Sequence, residues 1–216
     1  MRSLYVLVIA AVVLTGCGEP KTSTKSETSK DDFIKSFYAK YNIEEEYQIS
    51  FEDLVEISKG KDDRSNISEG LKFFQREDYY EATTTLQFFN PDDEPVPGPP
   101  PFSIRHKYVL GEYLVEEADF PTPDGGINKV IRILIQLGNR DEFLMHAFDG
   151  KIIQLALITK TGSNKFRTKE VGIKDNGEEF TIVGRGIIRK GFASGEFEII
   201  ENGVIVIKQK VTYEHE

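Results

Sequence analysis

The sequence predicts a mainly β protein, in which an antiparallel up-and-down meander of eight or nine strands follows two or three short amphipathic helices. Two patterns support this class. From residue 103 onward, apolar and polar residues alternate, and turn residues recur about every ten positions. Before residue 60, apolar residues instead recur at the spacing of one helix face. Such a meander is long enough to form either a barrel or a strongly curved sheet.

The composition is that of a folded, soluble chain. Of 216 residues, 39% are hydrophobic and 29% charged, which excludes a polytopic membrane protein and a wholly disordered one. Lys and Arg total 27 against 36 Asp and Glu, and the resulting net charge of -9 argues against a nucleic-acid partner. A single cysteine excludes an internal disulfide. A zinc site would have to be built from the three histidines and carboxylates alone.

The N-terminus has the order of a secretory signal peptide. The short basic segment Met1–Ser3 precedes an unbroken apolar run, Leu4–Leu14, and the small residues Thr15 and Gly16 follow. The apolar run falls short of the roughly 20 residues that a membrane-spanning helix needs. The pattern therefore predicts that residues 1–16 are removed.

The tetrapeptide Leu14-Thr15-Gly16-Cys17 resembles the lipobox of bacterial lipoproteins. The resemblance implies cleavage between Gly16 and Cys17 and a diacylglyceryl thioether, with palmitate-like acyl chains, on Cys17. It also implies that acylated Cys17 holds the protein to a membrane of the cell envelope on the non-cytoplasmic side. Gly18 is not the Asp that retains enteric lipoproteins at the inner membrane, so the outer membrane and periplasm are allowed. The alternative is an ordinary signal peptide or buried anchor with a chance cysteine.

Four segments follow from these patterns: a signal peptide (1–16), a flexible tether (17–30), a helical segment (31–78) and an antiparallel β domain (79–216). The tether has no residue suited to a core. Asp31 and Asp32 predict the cap of a first helix over 32–41, and Ser50 begins a second that ends at Gly60. Residues 68–76 predict a third short helix, although the pattern does not separate helix from strand over 68–78.

The β domain begins with one strand and a Pro-rich connector. Tyr80, Ala82, Thr84, Leu86 and Phe88 alternate along one face, which predicts a strand. Prolines in the connector 91–101 cannot donate ladder hydrogen bonds and predict a stiff, polyproline-like link. Its PxxP spacing also allows a docking motif.

The rest of the β domain divides into runs at turn signals. The runs are Ile104–Glu117, Lys129–Leu137, Glu142–Phe148, Lys151–Lys160, Lys165–Ile173, Glu179–Ile188, Gly195–Ile200 and Val204–Tyr213. The pairs Asp149-Gly150 and Asn202-Gly203 tolerate the positive φ that tight hairpins need. The alternation also predicts an apolar inner face, made of Ile131, Ile133, Ile135, Leu137, Ile153, Leu155, Leu157, Phe197, Ile199, Ile205, Ile207, Val211 and Tyr213. A second stripe that includes Leu134 and Ile158 is then expected to lie under the helices.

Part of this domain is similar to lipocalin-like lipoprotein domains of unknown function. The similarity lies in Lys107–Leu114 and Phe148–Lys151 and extends in general pattern over about residues 103–215. It implies a calycin-type barrel able to hold one small ligand. The chain has no Trp and so lacks the Gly-x-Trp of true lipocalins.

Catalytic, metal and cofactor motifs are absent from the sequence. His106, His146 and His215 are scattered, which favours packed or surface imidazoles over a metal site. The acidic turns Asp92-Asp93-Glu94 and Asp175–Glu179 lack the full ligand spacing of a calcium loop. The run Glu44-Glu45-Glu46 is typical of a solvated helix end. No catalytic residue, metal ligand or cofactor is therefore assigned.

Two functional hypotheses remain. The first is non-enzymatic binding of a small apolar ligand or lipid, which requires an internal cavity lined by the apolar inner face. The alternative is an envelope interaction protein that docks a partner through the helices or the Pro-rich connector. It requires a solid core and an exposed aromatic patch near Phe73, Phe74, Phe88 or Phe89. An enzyme is a distant third.

Overall fold

A computed structural model describes residues 29–59, 73–78, 82–98, 101–110, 113–121, 127–189 and 192–215. In these ranges the helices are α1 (Lys30–Tyr41) and α2 (Phe51–Ser58), with a 3-10 turn at Glu45–Tyr47 between them. The strands are β1 (Phe73–Asp78), β2 (Ala82–Phe89), β3 (Pro95–Val96), β4 (Phe102–Leu110), β5 (Tyr113–Pro121), β6 (Ile127–Gln136), β7 (Glu142–Phe148), β8 (Ile153–Lys160), β9 (Lys165–Ile173), β10 (Glu179–Arg189), β11 (Phe192–Glu201) and β12 (Val204–His215). Neither helix in these ranges is long and apolar enough to span a bilayer.

The predicted antiparallel meander is confirmed. From β4 to β12, each strand pairs with the next in sequence, and β12 then pairs with β2, which makes a run of ten strands. The prediction of eight or nine strands falls short because Ile104–Glu117 is two strands: Leu110 pairs with Tyr113, so the chain reverses between them. The hairpin signal at Asn202-Gly203 is also confirmed, with φ of 51° and 79° at the two residues.

The two ends of the meander meet along a short seam. Ala82–Thr84 of β2 pair with Phe102–Ile104 of β4, whereas the ladder between β2 and β12 extends from Ala82 to Phe89. Further along the seam, β3 pairs with the end of β2, and β1 pairs with the end of β4. The sheet is therefore barrel-like but not closed, because β2 and β4 pair over three described residues at one end of the seam.

One local prediction is wrong. The third helix predicted over 68–76 is a strand in its described part, because Phe73–Asp78 pair with β4; such tertiary pairing outweighs local propensity. The connector 91–101, predicted to be mostly extended, begins with a turn. Asn90 Oδ1 accepts hydrogen bonds from the backbone N–H of Asp92 (3.0 Å) and Glu94 (2.9 Å), which folds a tight turn that leads into β3.

The two helices predicted around 32–41 and after Ser50 are confirmed, with one change of cap. Ser29, rather than Asp31 or Asp32, caps α1, and its Oγ accepts from the backbone N–H of Asp32 at 3.1 Å. The two aspartates instead occupy the first turn, where the helix dipole favours negative charge. Ser50 caps α2 as predicted, with its Oγ 3.0 Å from the backbone N–H of Asp53.

The helices pack on the outer face of the sheet. α1 contacts β8 and α2 contacts β6. The cluster beneath them contains Phe33, Ile34, Phe37, Leu54, Ile57, Ile131, Ile133, Ile135, Leu137, Leu144, Phe148, Ile153, Leu155 and Leu157. This reverses the predicted arrangement, because the Ile131 and Ile153 rows were expected to face inward. Leu134 and Ile158, expected under the helices, lie on the inner face instead.

Phenyl rings stacked on glycines fill the inner face between β9 and β11. A Cβ on Gly172 would lie 2.0 Å from the ring of Phe180, and one on Gly184 would lie 2.2 Å from the ring of Phe197. The Phe197 ring also covers Gly195, where a Cβ would lie 2.6 Å away. The absence of a side chain at these glycines lets each ring lie against the backbone, so a strongly curved wall is filled.

Gly184→Ala should lower the free energy of unfolding by about 1–3 kcal/mol, because the added methyl group overlaps Phe197. Urea unfolding of the full chain measures this change. Gly162→Ala is the matched control, since its Cβ meets nothing closer than 4.0 Å. Equal stability of the two variants would show that the ring does not occupy this position.

Candidate functional site

A groove of about 680 Å³ crosses the outer wall formed by β9–β12 and β2. Its volume lies within the usual range of small-molecule pockets. Most of its lining side chains are charged: Arg167, Arg185, Glu196, Glu198, Lys208, Lys210 and, from the β2–β3 turn, Asp93. Val183 and Phe89 add apolar surface.

Strand register arranges these side chains in two rows across the wall. In the first row, Arg167, Arg185, Glu196 and Lys210 are successive cross-strand partners from β9 to β12. In the second, Lys169, Val183, Glu198, Lys208 and Phe89 follow in the same way, ending on β2. The lining of the groove holds four basic side chains and three acidic ones, Asp93 among them, and Lys169 lies just outside it. The groove is therefore weakly basic on a chain whose net charge is -9.

Ion pairs neutralise one half of the groove better than the other. Lys208 Nζ lies 2.8 Å from Asp93 Oδ1, and Glu196 lies 4.0 Å from Lys210 Nζ and 3.5 Å from Arg185 Nη2. Lys210 Nζ also lies 5.3 Å from the centre of the Phe89 ring, a cation–π contact. On β9, Arg167 and Lys169 are exposed and have no partner among the described residues. Excess positive charge is thus concentrated at the β9 side.

The inner face also carries buried ionisable groups. Arg132 and Glu116 are cross-strand neighbours whose Nη2 and Oε2 atoms lie 3.1 Å apart, and both side chains are almost fully buried. Glu170 is buried beside Gln154, whose Nε2 donates to its carboxyl group. Burial raises the pKa of Glu170 to about 7. This carboxyl group is consequently part of the packed interior and does not face the groove.

A second buried polar contact joins α1 to the sheet. Tyr38 Oη donates to the carbonyl of Ile49 (3.0 Å), accepts from its N–H (2.9 Å) and lies 2.6 Å from Nε2 of His146 on β7. Since Oη has one proton, which Ile49 accepts, we infer that Nε2 of His146 carries the imidazole proton. Burial lowers the pKa of His146 to about 3. The contact holds α1 against the sheet, and both the Tyr38 hydroxyl and the His146 imidazole are buried.

The structure describes some of the predicted site residues and not others. Gly16 and Cys17, and the side chains of His106 and His215, lie outside the described residues. Phe73 and Phe74 are described in backbone only, Phe88 is buried, and Phe89 is half-buried in the groove.

The acidic segments lie at exposed turns. Lys30 Nζ pairs with Asp175 Oδ1, and Lys174 Nζ with Glu178 Oε2. Within the described ranges, no three His, Cys, Asp or Glu side chains are close enough to hold a metal ion. The glutamates 44–46 are exposed around the 3-10 turn. These acids serve as turn and helix-end groups in the described fold.

The sequence predictions did not identify the charged wall of the groove. The signal was present as charges spaced two residues apart on neighbouring strands: Arg167 and Lys169, Glu196 and Glu198, and Lys208 and Lys210. Since alternate residues of a strand share a face, this spacing places each pair on one surface. Cross-strand register, which sequence alone does not fix, is what aligns the three pairs.

No protein-family model matches this chain, and no curated protein matches it significantly in sequence. Its function must therefore be inferred from the fold and the groove.

Glu170→Gln should stabilise the protein increasingly as pH rises. The folded pKa of Glu170 is about 7 against an ordinary 4.5, so ionisation in the unfolded chain removes stability between these values. The stability gain of the variant over wild type should grow by about 3 kcal/mol from pH 4.5 to pH 8. Urea unfolding across this pH range measures it.

The control is Glu179→Gln, at an exposed carboxylate on the same sheet. The pH dependence of this variant is subtracted from that of Glu170→Gln. If no pH dependence remained for Glu170→Gln, Glu170 would be ionised and solvated in the folded protein.

Proposed function

We propose that this protein is a lipid-anchored interaction protein of the bacterial cell envelope, which docks a partner protein in the groove on its outer wall. The observation that carries the proposal is the contrast between surfaces. The outer face of β6–β8 lies under the helices, and the described inner-face side chains are packed. The wall of β9–β12 instead exposes a charged groove with apolar surface at Val183 and Phe89.

The anchor is proposed from the lipobox at Leu14–Cys17. Two or three acyl chains on one residue hold a protein durably, because each buried methylene contributes about 0.8 kcal/mol. The segment between Cys17 and Ser29 would link this anchor to the fold.

The tether joins the fold at a defined end. Lys30 Nζ donates to Asp175 Oδ1 (2.7 Å) in the β9–β10 turn and to the Lys151 carbonyl (3.1 Å) in the β7–β8 turn. This end of the sheet also carries exposed carboxylates at Glu178 and Glu179. Anionic lipid would repel a chain whose net charge is -9, so the domain stands off the membrane with the groove on its side wall.

Binding of a small apolar ligand or lipid is less well supported. The residues expected to line its cavity are divided between two faces, and those of β6 and β8 pack against the helices. On the inner face, Ala156, Ile182 and Ile199 have no exposed surface and Phe197 has 1%. A water-sized probe therefore does not reach the interior beside these strands.

The docking claim can be tested in the native host with the photo-crosslinking residue p-benzoylphenylalanine. Placed at Val183 in the groove, it should yield a crosslink to one envelope protein. Placed at the exposed Lys35 on α1, it should yield none. Identical crosslinking patterns at the two positions, or no crosslink at Val183, would contradict docking in the groove.

The anchor is tested in the same cells. Cys17→Ser should move the protein from the membrane pellet to the soluble fraction and remove acyl labelling, because the acylated thioether can no longer form. Equal membrane retention of the serine variant would contradict lipid anchoring. The crosslinking experiment would still test the docking claim independently of the anchor.

A further inference from the structure

Two arginines face each other across β9 and β10 at one end of the groove. Arg167 and Arg185 are direct cross-strand partners on the outer face, and both are exposed. Like charges placed directly opposite one another destabilise a sheet. In the described part of the chain, the carboxylate that pairs with either arginine is that of Glu196 on β11, next to Arg185.

The donors of this arginine pair are largely unused. Arg167 has no partner among the described residues. Arg185 Nη2 reaches Glu196 Oε2 only at 3.5 Å, and both side chains are more than half exposed. Each guanidinium carries five N–H donors in a planar fork that fits a carboxylate or phosphate. Two such forks side by side form a receptor for an anionic group.

We infer that Arg167 and Arg185 bind the carboxylates of an acidic segment of the partner protein; this inference rests on the proposed docking function. The rest of the groove favours a peptide over a phosphate polymer. Val183, two residues from Arg185 on β10, offers apolar contact beside the arginines, and Phe89 on β2 offers it at the far side of the groove; a polymer of phosphates can use neither. Glu196 and Glu198 lie on β11, between the arginines and Phe89, and would repel a polyanion that extends across the groove.

The test uses full-length protein in nanodiscs of zwitterionic phosphatidylcholine. The probe is a fluorescein-labelled hexapeptide of four aspartates and two phenylalanines, and fluorescence anisotropy at low salt measures its binding. Arg167→Glu with Arg185→Glu should weaken binding by about tenfold or more, since two charged hydrogen-bonding groups are lost. Lys35→Glu, which makes the same kind of charge change on α1, should leave binding within about twofold.

A second variant separates a guanidinium site from general positive charge. Arg167→Lys with Arg185→Lys keeps both charges but removes the planar forks, and should weaken binding severalfold. Binding equal to wild type in this variant would overturn the arginine site. Stronger competition by inorganic polyphosphate than by unlabelled peptide, or capture on phosphatidylglycerol vesicles through the same arginines, would overturn the peptide assignment.

Failure of the arginine site and failure of the docking function are distinguishable. A crosslink at Val183 together with arginine-independent peptide binding would overturn only the arginine inference. Arginine-dependent binding without any crosslink at Val183 in cells would support the anion site and contradict the docking function.

Discussion

The structure depends on the burial of β6, β7 and β8 on both faces. Every residue from Phe143 to Phe148 on β7, and from Ile153 to Ile158 on β8, is buried. One face of these strands meets α1 and α2, and the other meets the interior of the curved sheet. A full side-chain burial contributes about 1.5–3 kcal/mol, so the helices stabilise a wall that would otherwise expose a continuous apolar surface.

This packing decides where the protein can meet a partner. Along residues 165–170 of β9, exposed and buried side chains alternate. Arg167 and Lys169 are exposed on one face, and Phe166 and Thr168 are buried on the other. The same alternation continues on β11 and β12, where the charged side chains point outward. The transition from fully buried to alternating strands thus separates the structural half of the sheet from the half that presents the groove.

Much of this architecture could be predicted from the sequence. Period-two alternation and the Asn202-Gly203 turn gave the hairpins, and the capping residue Ser50 gave the start of α2. The sequence did not indicate which face of β6 and β8 the helices cover. When a strand is apolar on both faces, as around Ile133 and Leu134, periodicity no longer distinguishes inside from outside.

The groove could not be predicted from the sequence for a related reason. On its own strand, each charged pair, such as Glu196 and Glu198, has the pattern of an ordinary solvent-exposed face. Only the register of four strands brings Arg167 opposite Arg185 and Lys210 next to Phe89. The pairing of β1 with β4 was missed similarly, because it joins residues that are distant in sequence.

Chemical footprinting of the arginines in intact cells shows whether the groove is occupied in the envelope. Phenylglyoxal modifies exposed guanidinium groups, and mass spectrometry reads the extent at each site. If the groove holds a partner in the envelope, Arg167 and Arg185 should be protected in cells relative to purified protein, while the exposed Arg140 reacts equally in both. Equal reactivity of all three arginines in the two settings would contradict an occupied groove.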